Sequence, residues 1–300
     1  PMADFASAVL DREKSAPYLQ SAAIAFDNKS GGIRAIVGGR DYDKSKFHRA
    51  LYGKRQAGSV VKPFVYACAF EAGMPANEPI SDDRIQDGEI PQKYGRYDPS
   101  NSDNTHRGIQ SAGEGLVDSR NTMSVRVGLR AGLDRIADKL IRAGLAEDPP
   151  RFPSLCLGTF ETSLKDLTAA YTAFATGGVK LQPYLIDRVI DDSGTILYKC
   201  TRGQIPILQP AAAQMTAALL EQVVERGTAS HAHEYGLTGY GAGKTGTTNN
   251  FLDAWFVGFD SHLTCGVWVG FDKPRPIRPG GYGGALALPI WVDIIEAAKH

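Results

Sequence analysis

The sequence predicts an α+β fold, one antiparallel sheet flanked by helices with a mostly helical subdomain inserted. Three observations predict it. Paired apolar runs separated by turn residues stand near both ends of the chain, segments of helical periodicity fill the middle, and residues 75–115 are rich in Asp, Pro, Gly, Ser and Asn without any period. The 300 residues read as a single domain, its sheet-containing part approximately 15–60 and 180–300 and its helical part approximately 61–179.

Each element follows in order. Residues 21–38 are two short apolar runs around Asp27-Asn28-Lys29-Ser30-Gly31-Gly32, the pattern of a hairpin. The apolar segment VVKPFVYACAFEAG reads as a buried helix that ends at Gly73, and 75–115 as irregular structure at the edge of the subdomain. Met123, Val127, Ile136, Leu140 and Ile141 recur at helical spacing through 123–145, predicting one helix that stops at Gly144. Leu164, Leu167, Tyr171 and Phe174 share a face that stops at Gly177-Gly178; Met215, Leu219, Val223 and Val224 share another that stops at Gly227. The runs 254–259 and 263–271, parted by Asp260-Ser261-His262, predict a second antiparallel pair, with GYGAGKTGTTNNF as an edge strand before it.

Composition narrows the function. Lys plus Arg and Asp plus Glu both number 33, so no global charge steers the chain toward nucleic acid or an anionic membrane. No apolar run approaches the ~20 residues of a spanning helix, so any anchor is expected outside this sequence, whose opening Pro-Met-Ala-Asp-Phe reads as part of something longer. Cys68, Cys156, Cys200 and Cys265 lack the spacing of a zinc site or a redox dithiol; Cys68 and Cys265 lie in apolar stretches and read as buried free thiols.

Three short motifs carry chemistry: Ser59-Val60-Val61-Lys62, Ser119-Arg120-Asn121 and Lys244-Thr245-Gly246-Thr247. Each alone is weak, because Ser59 would serve as a helix N-cap, Lys62 as a solvated first-turn lysine, and Ser119 with Asn121 as a capping pair. Spacing adds to them. Ser59 and Lys62, at i and i+3, share one face of a helix start that Pro63 fixes, where free N–H groups and the helix dipole favour developing negative charge. A serine hydroxyl needs a base, and a lysine serves at neutral pH only when burial or a nearby cation such as Lys244 lowers its pKa. Lys244, with the hydroxyls of Thr245 and Thr247 beside the bare backbone of Gly246, would make a carboxylate pocket. The N–H groups of Ser59 and Thr247 would form an oxyanion hole. Ser119 would relay a proton to a leaving amine and Asn121 would hold a substrate amide.

Other patterns fail on context. Ser102-Asp103-Asn104 repeats the Ser-x-Asn form but sits in the polar stretch and reads as turn chemistry. Gly241 to Gly246 matches a phosphate-loop fragment, yet Thr238 stands where glycine is needed and no strand-loop-helix surrounds it. His231, His233 and Glu234 lack a further metal ligand at useful spacing and read as a solvated loop.

Ser-x-x-Lys, Ser-x-Asn and Lys-Thr-Gly in this order resemble the signature of penicillin-binding proteins and serine β-lactamases. The resemblance extends further. GGRDYDKSKFHRALYGKRQAGSVVKPFVYA, ETSLKDLTAAYTAFATGGV and GKTGTTNNFLDAWFVGF with the later VWVGFD are similar to the transpeptidase domain of bifunctional (class A) penicillin-binding proteins, over about residues 20–295. The resemblance implies a β-lactamase/transpeptidase-like fold and a peptidoglycan D,D-transpeptidase that needs no cofactor or metal. Ser59 would be the nucleophile, Lys62 the base, Ser119 and Asn121 the relay and amide anchor, and Lys244, Thr245, Gly246 and Thr247 the carboxylate and oxyanion site. The implied partners are stem peptides ending in D-Ala-D-Ala and β-lactam antibiotics, with no nucleic acid. The implied place is the periplasmic face of the bacterial cytoplasmic membrane, reached through an anchor not in this chain; a glycosyltransferase domain upstream is expected if the parent is bifunctional. The alternatives are a D,D-carboxypeptidase or β-lactamase-type hydrolase and a penicillin-binding sensor. Glu161-Thr-Ser-Leu-Lys165 carries lysine where class A β-lactamases have asparagine, and Ser163 reads there as an N-cap; Arg120 replaces the aspartate many β-lactamases have.

Overall fold

The computed structural model describes residues 16–299. Both predicted hairpins form, each nucleated by one aspartate. Asp27 Oδ1 accepts from the N–H groups of Lys29 and Ser30 at 3.0 and 2.8 Å, turning strand β1 (Gln20–Asp27) into β2 (Ile33–Val37). At the other end of the chain, β3 (Ala242–Thr247) precedes β4 (Asp253–Phe259) and β5 (Leu263–Gly270). Asp260 Oδ1 accepts from His262 N and Leu263 N at 2.8 and 2.7 Å at the β4–β5 turn. A short carboxylate that satisfies two turn amides is the physical content of the Asp-rich turn signal.

The five strands form one antiparallel sheet in the order β3-β4-β5-β1-β2. Gln20 opposite Gly270 and Asp27 opposite Leu263 close the N-terminal hairpin onto the C-terminal one. Every residue of β4 and β5 is buried, which requires cover on both faces. The helix Leu164–Ala175 lies on one face, and the helix Leu288–Ala297 on the other. β3 is left at the edge with its backbone free on one side.

The longer helices, of ten residues or more, are in chain order α1 (Lys62–Glu71), α2 (Asn121–Ala131), α3 (Leu133–Arg142), α4 (Leu164–Ala175), α5 (Pro210–Glu225) and α6 (Leu288–Ala297). α1 runs through the centre: all its residues from Lys62 to Phe70 are buried, between α2, α3 and α5. Phe64 meets Tyr171 and Phe174 of α4 with ring centroids 5.6 and 4.9 Å apart. α4 begins as expected at Ser163, whose hydroxyl accepts from Asp166 N at 3.0 Å, and ends before Gly177. It lies within the span read as helical yet packs directly on β5, β1 and β4.

Three expectations are corrected. The single helix over 123–145 is two helices, because Gly132 takes φ +93°, a left-handed backbone that breaks the hydrogen-bond ladder and that periodicity does not register. The first of them also starts at Asn121, two residues before 123, so the second motif runs into the helix start, with Arg120 at the N-cap. The Ser59 turn is likewise tighter than an α-helix: Gly58–Val61 is a 3₁₀ turn, and α1 proper starts at Lys62 with Pro63 in its first turn. The stretch 75–115 is mostly irregular as read, apart from a short pair, Pro79–Ser81 against Ile109–Ser111, and the start of a helix at Ala112.

Candidate active site

The site assembles where the tip of α1, the start of α2 and the edge strand β3 meet. Lys62 is fully buried, and its Nζ lies 2.6 Å from the Ser119 carbonyl oxygen, 3.3 Å from Ser119 Oγ and 2.7 Å from Asn121 Oδ1, donating to them. Lys62 is not solvated, Ser59 does not cap the Gly58–Val61 turn, and Ser119 does not cap α2, whose first N–H groups are taken by Asn101 Oδ1. Ser119 meets Lys62 with both oxygens because its backbone is left-handed, φ +57°, a conformation that costs a non-glycine residue of order 1–3 kcal/mol.

Ser59 precedes Lys62 by one tight turn, closed by Lys62 N donating to the Ser59 carbonyl. The turn is held from behind by the Tyr171 hydroxyl, which donates to Val60 O at 2.5 Å, and by Gly58 N donating to Gly158 O at 3.0 Å. Ser59 itself is part-exposed, and its hydroxyl makes no hydrogen bond to any described residue. Catalytic hydrogen bonds commonly tighten only when a reactant is present.

β3 lies against the same turn. A methyl group at Gly246 would stand 2.7 Å from Val60 Cγ1 and 3.1 Å from Trp255 Cβ, so only glycine lets the strand approach this closely. Thr247 Oγ1 accepts from Gly283 N at 3.1 Å, and Thr245 Oγ1 pairs with Thr228 Oγ1 at 2.6 Å. Lys244 is fully buried, its Nζ donating to Thr245 O at 3.1 Å.

Burial dominates the electrostatics. It pushes Lys62 well below the ordinary lysine value, and the charges of Lys244 and then Arg120 push it further, against the opposing field of Asp82. Lys244 is lowered to about 7 by burial, with Asp118 opposing. The charge of Lys244 thus adds to burial in disfavouring a proton on Lys62. A neutral amine has two N–H donors, enough for Ser119 O and Asn121 Oδ1, and one lone pair left over as a base.

The structure therefore joins Lys62, Ser119 and Asn121 directly and sets Ser59, Lys244, Gly246 and Thr247 around them. Sequence reasoning missed the supports. Asp82, Asn101, Asp103 and Thr105 of the polar stretch brace Arg120 and Asn121, and Thr228 and Tyr171 brace β3 and the Ser59 turn. Ser102-Asp103-Asn104 does form a turn, with Thr105 N donating to Asp103 Oδ1 at 3.0 Å, but the same carboxylate also binds Arg120. Glu161 is exposed on a short strand paired with Lys54–Gln56. His231 and His233 bind Glu234 and Glu225 at 2.9 and 3.0 Å, and no metal cluster occurs among the described residues. All four cysteines are free thiols; Cys68, Cys156 and Cys265 are buried.

A serine, a buried lysine and a second serine gathered beside a Lys-Thr-Gly edge strand define a class, and residues 21–296 match the model of the penicillin binding protein transpeptidase domain. The chain belongs to that family. It is 37% identical over 293 residues to penicillin-binding protein 1A of Neisseria lactamica, covering 94% of this chain and 36% of that protein. It is 34% identical to penicillin-binding protein 1A of Pseudomonas aeruginosa, over 92% of this chain and 40% of that protein. The crystal structure of penicillin-binding protein 1A from Haemophilus influenzae superposes with a TM-score of 0.87 at 28% identity, over 94% of this chain and 48% of that one. The PonA1 protein of Mycobacterium tuberculosis in complex with penicillin V superposes at 0.79 and 25% identity, over 98% of this chain and 81% of that one. The chain thus spans little more than a third of the curated relatives it matches. No helix among the described residues is long and apolar enough to cross a membrane.

Proposed function

We propose that this domain is a peptidoglycan D,D-transpeptidase working through an acyl-enzyme on Ser59. The observation that carries the reading is that all three motifs converge on one buried amine: Lys62 hydrogen-bonds to Ser119 and Asn121 and feels the charge of Lys244.

Lys62 takes the Ser59 proton as Ser59 Oγ attacks the carbonyl between the two terminal D-alanines of a stem peptide. The oxyanion is held by the N–H groups of Ser59 and Thr247. Asn121 holds the substrate amide, and Lys244 with the Thr245 and Thr247 hydroxyls holds the terminal carboxylate. The proton passes through Ser119 to the departing amine, the C–N bond breaks and D-alanine leaves. An amine of a neighbouring stem then attacks the Ser59 ester, giving a cross-link and restoring the hydroxyl. β-Lactams acylate the same serine. The work is done at the extracytoplasmic, periplasmic face of the cytoplasmic membrane, with the anchor outside this sequence.

A donor peptide ending in D-Ala-D-Ala, incubated with an acceptor amine, tests the reading. Transpeptidation predicts an amide product that grows with acceptor concentration, alongside released D-alanine. Release of D-alanine with only the hydrolysed peptide, at every acceptor concentration, would favour a carboxypeptidase instead.

A further inference from the structure

The Ser119-Arg120-Asn121 segment is tied, residue by residue, to the polar stretch that precedes it. Arg120 is buried and donates through Nε to Asp82 Oδ2 at 2.9 Å, through one terminal nitrogen to Asp103 Oδ2 at 2.7 Å, and through the other to Thr105 O at 2.5 Å. Asn121 N donates to Asn101 Oδ1 at 2.8 Å, and Asn101 Nδ2 donates to Asp82 Oδ1 at 2.9 Å. Thr122 Oγ1 donates to Asp82 Oδ1 at 2.7 Å, and Arg107 N to Asp82 Oδ2 at 3.0 Å. Asp82 is wholly buried and touches, directly or through Asn101, each of residues 120, 121 and 122.

A buried carboxylate–guanidinium pair is a poor way to gain stability, since desolvating both charges offsets their attraction. Its geometric effect is specific. The planar guanidinium fixes the chain direction at 120, on the C-terminal side of Ser119, whose left-handed backbone presents both oxygens to Lys62. The pair also lies close enough to act on Lys62 through its charges.

We propose that Asp82 and Asp103 are positioning residues for the Lys62 base, clamping Arg120 so that Ser119 and Asn121 stay on Lys62 Nζ and neutralising the Arg120 charge there. This rests on the Ser59 acylation reading above. The charged and titratable groups acting on Lys62 are Lys244 from β3, Arg120 and Asp82 from the clamp, and Cys156 from the 3₁₀ turn Pro153–Leu157. Asp82 opposes the cations, so removing its charge leaves Arg120 less compensated and makes Lys62 easier to deprotonate. Removing the charge of Asp103 acts in the same direction.

The test is the second-order rate of acylation by a fluorescent penicillin, measured against pH for the unaltered protein, Asp82→Asn and Asp103→Asn, with circular dichroism reporting the fold. Asp82→Asn is expected to slow acylation by on the order of 10²-fold, the scale of a misplaced catalytic group, and to shift the acid limb of the profile to lower pH. Asp103→Asn, whose carboxylate is part-exposed, is expected to keep its fold, to slow acylation several-fold and to shift the limb the same way. If Asp82→Asn does not fold, Asp103→Asn decides. A folded variant that acylates at the unaltered rate, or slows with its acid limb unmoved, overturns the clamp. No acylation in the unaltered protein would instead overturn the Ser59 reading itself.

Discussion

At the scale of single residues, the proposed function turns on two lysines made weakly basic by burial. Lys62 is held below its ordinary value by burial and by Lys244 and Arg120, which favours the neutral amine that a base must be. Replacing it with alanine should slow acylation by ~10²–10⁴, the range of general-base catalysis, in a stopped-flow assay with a chromogenic cephalosporin. In the proposed mechanism Lys244 has the opposite task, because it would bind a carboxylate only while charged, and burial has brought it to about 7. The rate for a penicillin carrying its free carboxylate should therefore fall as pH drops and Lys62 gains a proton, and fall again as pH rises and Lys244 loses one. The methyl ester of the same penicillin has no carboxylate for Lys244 to hold, so its profile should lack the alkaline limb. An alkaline limb equal for acid and ester would remove Lys244 from carboxylate binding.

At the scale of elements, the site depends on how closely β3 and α4 press on the Ser59 turn. Tyr171 of α4 donates to the buried Val60 carbonyl. Tyr171→Phe should cost about 1–3 kcal/mol in urea unfolding, because it leaves that acceptor unsatisfied, and should slow acylation by loosening the turn. Gly246→Val should leave the far end of the sheet intact but push β3 away from Val60, with loss of penicillin labelling as the readout. The elements are also where the sequence is most and least informative. The hairpins are legible because Asp27 and Asp260 sit between apolar runs, and α4 because Ser163 and Gly177 mark its ends. The break at Gly132 is not legible, since the apolar period continues across it and only the sign of φ differs. Asp82 and Asp103 are illegible for a different reason: in a stretch full of turn residues, nothing in one sequence separates a buried carboxylate that holds an arginine from an exposed one that turns the chain.

At the scale of the whole molecule, the strands of 20–37 and 242–270 meet in one sheet, and the helices between them bring the first two motifs to β3, the edge strand that carries the third. The motifs are legible as a set because acyl transfer needs a hydroxyl, an amine and an anion pocket together, and the fold supplies the convergence that linear spacing leaves open. Not all of the molecule serves that convergence. Residues 188–199 form a two-stranded hairpin apart from the main sheet, with Ile190 and Leu197 56% and 65% exposed. Replacing this hairpin by a short Gly-Ser turn should leave the acylation rate unchanged within about twofold, because it contributes nothing to the core around Lys62. The central claim is that this architecture makes Ser59 the nucleophile, and intact-protein mass spectrometry with peptide mapping after exposure to a β-lactam tests it most directly. One adduct on the peptide containing Ser59, absent in Ser59→Ala, is the predicted result. An adduct on any other residue, or one that persists in Ser59→Ala, would contradict it.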